Sequence, residues 1–322
     1  MTIRRRLLCP LLMLLAGPAA LAASPQPDPA QPAPVQPGWG QADGGQADGG
    51  QAAAGQPDGG QPPPASTAGT ETGPGTGPGT GPETPPGLVS ARLLPGWTTA
   101  DGHRISALQL ALAPGWKTYW RSPGDAGVPP RFDWTGSGNV GRITLHWPRP
   151  EAIESGGERT LGYHDGLVLP VEVEPADPAR PVDLRLRVDF GLCADVCVPA
   201  RVDLAAPPPG AGPDPLIEAA LARVPRPAPG RATCAIAPIA DGVRVTARFP
   251  GQTAPEVAIE PADESIWVSQ PELAQEDGAL RAQADFVAAS GKPFPLDPQG
   301  LRLTLILPDD AIEFRGCDTR RN

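Results

Sequence analysis

The chain has 322 residues and carries 26 Lys and Arg against 36 Asp and Glu, a formal net charge of −10 with no basic block. That balance argues against a nucleic-acid binder and against a protein held on an anionic membrane surface. Its 46 Pro and 39 Gly make about a quarter of the residues, the edge of the low-complexity range, and Pro in helix interiors costs about 3 kcal/mol, which argues against a helical bundle or a coiled coil.

Taken in chain order, residues 1–23 read as a secretory signal peptide. Arg4, Arg5 and Arg6 form a positive start, residues 7–16 a short apolar run, and Ala20, Leu21 and Ala22 a small-x-small cleavage site. The apolar run is shorter than the ~20 residues that span a bilayer, and no later segment supplies 18 consecutive apolar residues. The expectation is an exported chain, periplasmic, with no membrane span after cleavage. Residues 24–87 hold 15 Pro, 16 Gly and six acidic residues, and their large apolar side chains are Val35 and Trp39. Such a segment cannot offset its chain entropy by burial, so it reads as a disordered Pro/Gly/Gln-rich linker.

The rest reads as all-β, two β-sandwich domains joined by a short helix. Val182, Leu184, Leu186, Val188 and Phe190 alternate with Asp183, Arg185, Arg187 and Asp189, the period of a strand with one wet face. Leu108, Leu110 and Leu112 repeat the pattern, as do Ile143, Leu145 and Trp147, and Pro-Gly turn signals separate the runs. These place the first sandwich at 88–206. Within 207–230, Asp214 suits an N-cap and Pro215 the first helical position; Leu216, Ile217, Ala220, Leu221 and Val224 follow at helical spacing. From 231 to 322 alternation returns, with Val243, Val245, Ala247 and Phe249 in one strand and Leu301, Leu303, Leu305 and Leu307 in another.

Cysteines carry the chemistry. With Cys9 lost in the signal, Cys193, Cys197, Cys234 and Cys317 remain, open to three pairings. A Cys234–Cys317 bridge would close about 84 residues and be worth roughly 4.6 kcal/mol, a structural disulfide for an exported domain. A Cys193–Cys197 bridge would close five residues and be worth only roughly 2 kcal/mol. Four strand steps cover about 13 Å whereas bridged Cα atoms lie within about 7 Å, so an oxidised pair needs a turn at the end of the 182–190 strand. Three readings stay open for it: a labile exchange site, an inert small-loop disulfide, and thiolate ligands for copper or zinc with His103, His146 or His164. The aromatic residues Trp116, Tyr119, Trp120 and Trp134 read as core.

The run WKTYWRSPGDAGVPP at 116–130, then Phe132, Asp133 and Trp134, Trp147-Pro148 with Pro150, Gly162-Tyr163, and Cys193-x-x-x-Cys197-Val198-Pro199 resemble the N-terminal periplasmic domain of the DsbD/ScsB thiol:disulfide interchange proteins. The three-residue spacing and the second sandwich resemble the ScsB branch. The resemblance implies an immunoglobulin-like fold and a protein-disulfide reductase-type role without cofactor or metal, in which electrons pass through mixed disulfides. It assigns Cys197 to the mixed disulfide and Cys193 to its resolution. The stretch 160–164, with Tyr163, is a candidate cap over the pair, and Asp195 either tunes the thiolate or solvates the turn. Expected partners are thioredoxin-like periplasmic proteins and, since nothing here resembles the family's membrane domain, a membrane electron donor acting in trans. The alternatives are a copper-binding or copper-tolerance protein and a structural immunoglobulin-like adaptor with static disulfides.

Overall fold

The computed structural model describes residues 84–155 and 157–319; the expected signal peptide and nearly all of the expected linker lie outside them. Ten strands come first: β1 Leu88–Thr98, β2 Arg104–Leu112, β3 Lys117–Tyr119, β4 Arg131–Asp133, β5 Val140–Leu145, β6 Glu151–Ser155, β7 Glu158–His164, β8 Gly166–Pro175, β9 Arg185–Cys193 and β10 Cys197–Ala205. They form a four-stranded sheet in the order β1-β2-β8-β5 and a second in the order β10-β9-β3-β7-β6, with β4 also on β9. Leu108, Leu110, Leu169, Val171, Leu186, Val188, Phe190 and Leu192 fill the space between the sheets with Trp120 and Tyr163. This is the sandwich that the alternation predicts.

The strand expected at 182–190 is displaced. Pairing of β9 with β10 begins at Arg185 and runs through Cys193, opposite Cys197, so the strand continues three residues past 190 and the turn lies at residues 194–196. Alternation in β9 holds as far as Phe190; after it Gly191, Leu192 and Cys193 are all buried, because β3 joins the other edge of β9 at Leu192 and Cys193.

Helix α1 spans Pro215–Leu221, and the Asp214 side chain accepts the Leu216 N–H at 2.9 Å. Val224, expected in the helix, falls beyond it. Ile217 packs with Leu94, Ile105 and Ala107, on the face of the four-stranded sheet turned away from the main core. The remaining strands are β11 Arg226–Pro227, β12 Ala232–Pro238, β13 Val243–Pro250, β14 Glu256–Glu260, β15 Trp267–Val268, β16 Glu272–Glu276, β17 Ala279–Val287, β18 Arg302–Ile306, β19 Ala311–Arg315 and β20 Cys317–Thr319. They form sheets β11-β19-β18-β14 and β15-β17-β13-β12-β20, with β16 also on β17. Val245, Phe249, Phe286, Leu303 and Leu305 are among their core.

The two sandwiches touch. Ala258 and Ile306 of the second belong to the core cluster of the first. Arg121 donates to Glu260 at 2.8 and 3.0 Å and to Glu313 at 3.0 Å. These three side chains are only 11–13% exposed, and removing one member of such a dry ion cluster typically costs about 3–5 kcal/mol. Arg159 bonds Glu256, and Arg149 donates to the Leu307 carbonyl at 3.1 Å.

On the four-stranded sheet, Glu172 accepts from His103 Nδ1 at 2.7 Å and from His146 Nε2 at 2.8 Å. The bond to His103 holds the Glu172 carboxyl below its ordinary value, and the bond to Glu172 raises the His103 imidazole. Glu172 therefore adds stability above its unfolded value near 4.5 and loses it as pH falls through the lowered folded one. His103 adds stability below 6.5 and loses it as pH rises through the raised folded value. Both contributions coexist from about pH 4.5 to 6.5. The stability lost on Glu172→Gln, read from urea melts, is expected to peak in that window and shrink towards about pH 3 and pH 8; a pH-independent difference would refute the coupling.

Candidate functional site: a cystine at a hairpin tip

The β9–β10 hairpin turns through Ala194, Asp195 and Val196, and Cys193 and Cys197 face each other across it. They are disulfide-bonded with Cα atoms 4.1 Å apart. Their surroundings differ because their strands do. β10 is the edge of its sheet and β9 lies inside it. Cys193 is fully buried, whereas Cys197 is exposed. Beside it Val196 is 68% exposed, one of the few large apolar side chains left in solvent.

Short strand β3 brings two further groups to the same face. Lys117 pairs with Cys193 on one side and with His164 on the other. Two residues on, Tyr119 reaches back over β9, and its hydroxyl lies 2.8 Å from Cys193 Sγ and 3.3 Å from Cys197 Sγ. An oxidised sulfur carries no proton, so the phenol donates. The ring lies over Gly191, where a Cβ would come within 2.9 Å of Cε2; glycine, having no side chain, leaves the tyrosine this path. Burial, and after it the Glu158 carboxylate, pushes the Tyr119 phenol above its ordinary value, so it stays a donor at neutral pH. Burial lowers the Lys117 ammonium, and Glu158 opposes that shift.

Other residues singled out in the sequence stand elsewhere. Tyr163 lies in the core, its hydroxyl donating to the Pro148 carbonyl at 2.7 Å. The stretch 160–164 is part of β7 and not a loop; the structure does not bring Tyr163 to the sulfurs. Asp195 is exposed at the turn. Cys234 is bridged to Cys317 with Cα atoms 5.8 Å apart, and both are buried. Trp120 is fully buried, as the core reading has it, and Trp116 and Trp134 pack at the core margin. Tyr119 is buried as well, at 3% exposure, and its hydroxyl faces the cystine. His103 and His146 sit on the opposite sheet with Glu172, and among the described residues no group of three or more His, Cys, Asp or Glu is placed to hold a metal ion.

A hairpin cystine with one cysteine open to solvent and the other covered meets the access requirement for sulfur exchange. Residues 90–209 match the family described as thiol:disulfide interchange protein DsbD, N-terminal. The resemblance read from the sequence stands for this sandwich, and the match supports a thiol:disulfide interchange domain. No curated protein matches the chain. The fold is similar to the crystal structure of the N-terminal periplasmic domain of ScsB from Proteus mirabilis, with a TM-score of 0.53, 23% identity, 72% of this chain covered and 92% of that one. None of the described helices is long and apolar enough to cross a membrane.

If the Tyr119 hydroxyl stabilises sulfur charge, Tyr119→Phe slows reduction of Cys193–Cys197 by small dithiols. A hydrogen bond to a charged group is worth about 1.5–3 kcal/mol, so roughly tenfold slowing is expected in stopped alkylation time courses. An unchanged rate would mean that the hydroxyl only fills space.

Proposed function

We propose that this chain is a periplasmic thiol:disulfide interchange protein that passes reducing equivalents through Cys193 and Cys197 to partner proteins. The observation that carries this reading is the unequal burial of two bonded cysteines, with a phenol donor on the covered one.

The cycle follows from that asymmetry. A donor thiolate attacks the exposed Cys197 Sγ, forming a new S–S bond. The Cys193–Cys197 bond breaks, and its electron pair goes to Cys193 Sγ, which leaves as a thiolate receiving the Tyr119 hydrogen bond. A second donor thiolate then attacks its own mixed disulfide and releases Cys197 reduced. Donor and acceptor exchange two electrons, and the protons follow the thiols. In the outward half the Cys197 thiolate attacks a partner disulfide, and the Cys193 thiolate attacks Cys197 Sγ to free the reduced partner. Cys197 is thus the attacking residue and Cys193 the resolving one. Lys117, opposite Cys193, adds positive charge on the face where the thiolate forms. Val196 and the neighbouring Val198 and Pro199 offer an apolar rim to a thioredoxin-like partner. The electron donor is a membrane protein, as the family resemblance implies.

The test is trapping. Cys193→Ala should accumulate mixed disulfides through Cys197, resolved by mass spectrometry of non-reduced complexes, and Cys197→Ala should accumulate none above background. Equal, low trapping by both variants would leave the static adaptor as the better reading.

A further inference from the structure

After Tyr119 the chain leaves β3 and runs irregularly through residues 120–130 before β4. This segment lies on the tyrosine. A Cβ on Gly127 would come within 2.3 Å of Pro123 Cβ and 3.1 Å of Tyr119 Cδ1, and Val128 Cβ lies 3.7 Å from where a Cβ on Gly191 would stand. The Tyr119 ring is therefore held between Gly191 beneath and the 123–128 turn above. One tie on the turn is internal: Leu161 N–H donates to the Pro123 carbonyl at 2.9 Å.

The other ties come from the second sandwich. Arg121, two residues past Tyr119 and 4.2 Å over the Trp120 ring, is fixed by Glu260 of β14 and Glu313 of β19. Gln270, between β15 and β16, closes on the turn itself. Its Oε1 would lie 2.7 Å from a Cβ on Gly124, and its backbone N–H faces the Asp125 carboxylate. Neither Arg121 nor Gln270 bonds a sulfur; both hold the segment that holds the tyrosine.

We propose that the second sandwich positions the exchange site: through Arg121 and Gln270 it clamps residues 121–128 onto Tyr119 and so keeps the phenol hydroxyl on Cys193 and Cys197. The proposal gives the second sandwich a part in sulfur chemistry, and its biological weight rests on the interchange reading above. Arg121 and Gln270 are positioning residues, and their effect passes through Tyr119.

That route is separable by a double-mutant cycle on the whole chain. Glu260→Gln loosens the Arg121 anchor and keeps its size; Gln270→Ala removes the side chain that faces Gly124, with its 3.5 Å bond to Glu256, and leaves Arg121, Glu260 and Glu313 in place. Each is made with Tyr119 and with Tyr119→Phe. Dithiothreitol is the reductant, and peptide-level alkylation separates Cys193–Cys197 from Cys234–Cys317. With Tyr119 present, each anchor variant is expected to slow reduction about three- to tenfold and to move the equilibrium with dithiothreitol towards the disulfide. With Tyr119→Phe the same variants should change the rate less than about twofold. Equal slowing in both backgrounds, faster reduction, or no change in folded variants would overturn the proposal. Loss of the fold by both anchor variants would also overturn it, since a positioning contact is dispensable for folding. These rates are read with a small reductant, so a failure of the interchange reading appears only in partner trapping and leaves this result standing.

Discussion

The place of one disulfide in one sheet sets the rest of the site. Residues four apart in sequence can be bridged only if the strand turns back on itself, and the β9–β10 hairpin does so with Cys193 and Cys197 in register. The two strands then meet different neighbours. β10 has nothing on its far side within its sheet, and β9 is flanked by β3. Exposure of one sulfur and burial of the other follow from strand order, without a special loop. Nucleophilic attack on a disulfide needs a reachable sulfur and a leaving thiolate that the site can tolerate, and the edge-and-interior arrangement leaves one cysteine open and the other covered.

Burial alone would work against the second task, since a thiolate formed in a dry site is costly unless donors face it. Strand β3 answers that cost. Its three residues place Lys117 and Tyr119 on the cystine face and turn Thr118 to the other side, where its hydroxyl donates to the Gly191 carbonyl at 3.0 Å. Gly191 contributes by what it lacks, since the Tyr119 ring occupies the volume of the missing side chain. While the pair is oxidised, the phenol hydroxyl lies within hydrogen-bonding reach of both sulfurs.

Local pattern told much of the fold and little of the site. The period of two in residues 182–190 announces a sandwich strand, and Asp214-Pro215 announces a helix start, because both signals depend on near neighbours. The end of β9 was illegible: Gly191, Leu192 and Cys193 are buried by β3, more than 70 residues earlier in the chain. The cysteine spacing forces a turn but does not say which sulfur faces water, which depends on sheet order. Tyr119 reads as core because it sits among tryptophans, and its path to sulfur depends on the register of β3 with β9. Tyr163 shows the converse. Its place in the family-like Gly-Tyr pair suggested a cap, but β7 turns it inward to the Pro148 carbonyl. The Arg121 anchors stand 139 and 192 residues away, beyond any local signal.

The second disulfide shows what the first would be without its setting. Cys234 and Cys317 lie on the neighbouring strands β12 and β20, which run parallel, and both sulfurs belong to residues at most 1% exposed. No thiolate in solution can reach either one without opening the sheet, and the bridge ties the start of the second sandwich to its last strand. The two bonds are chemically the same. One cysteine of the first pair is open on an edge strand and the other faces a donor from a three-residue strand, whereas both members of the second pair are closed. Both features depend on long-range strand order, so the setting of Cys193–Cys197 belongs to the sandwich as much as to the hairpin that carries it.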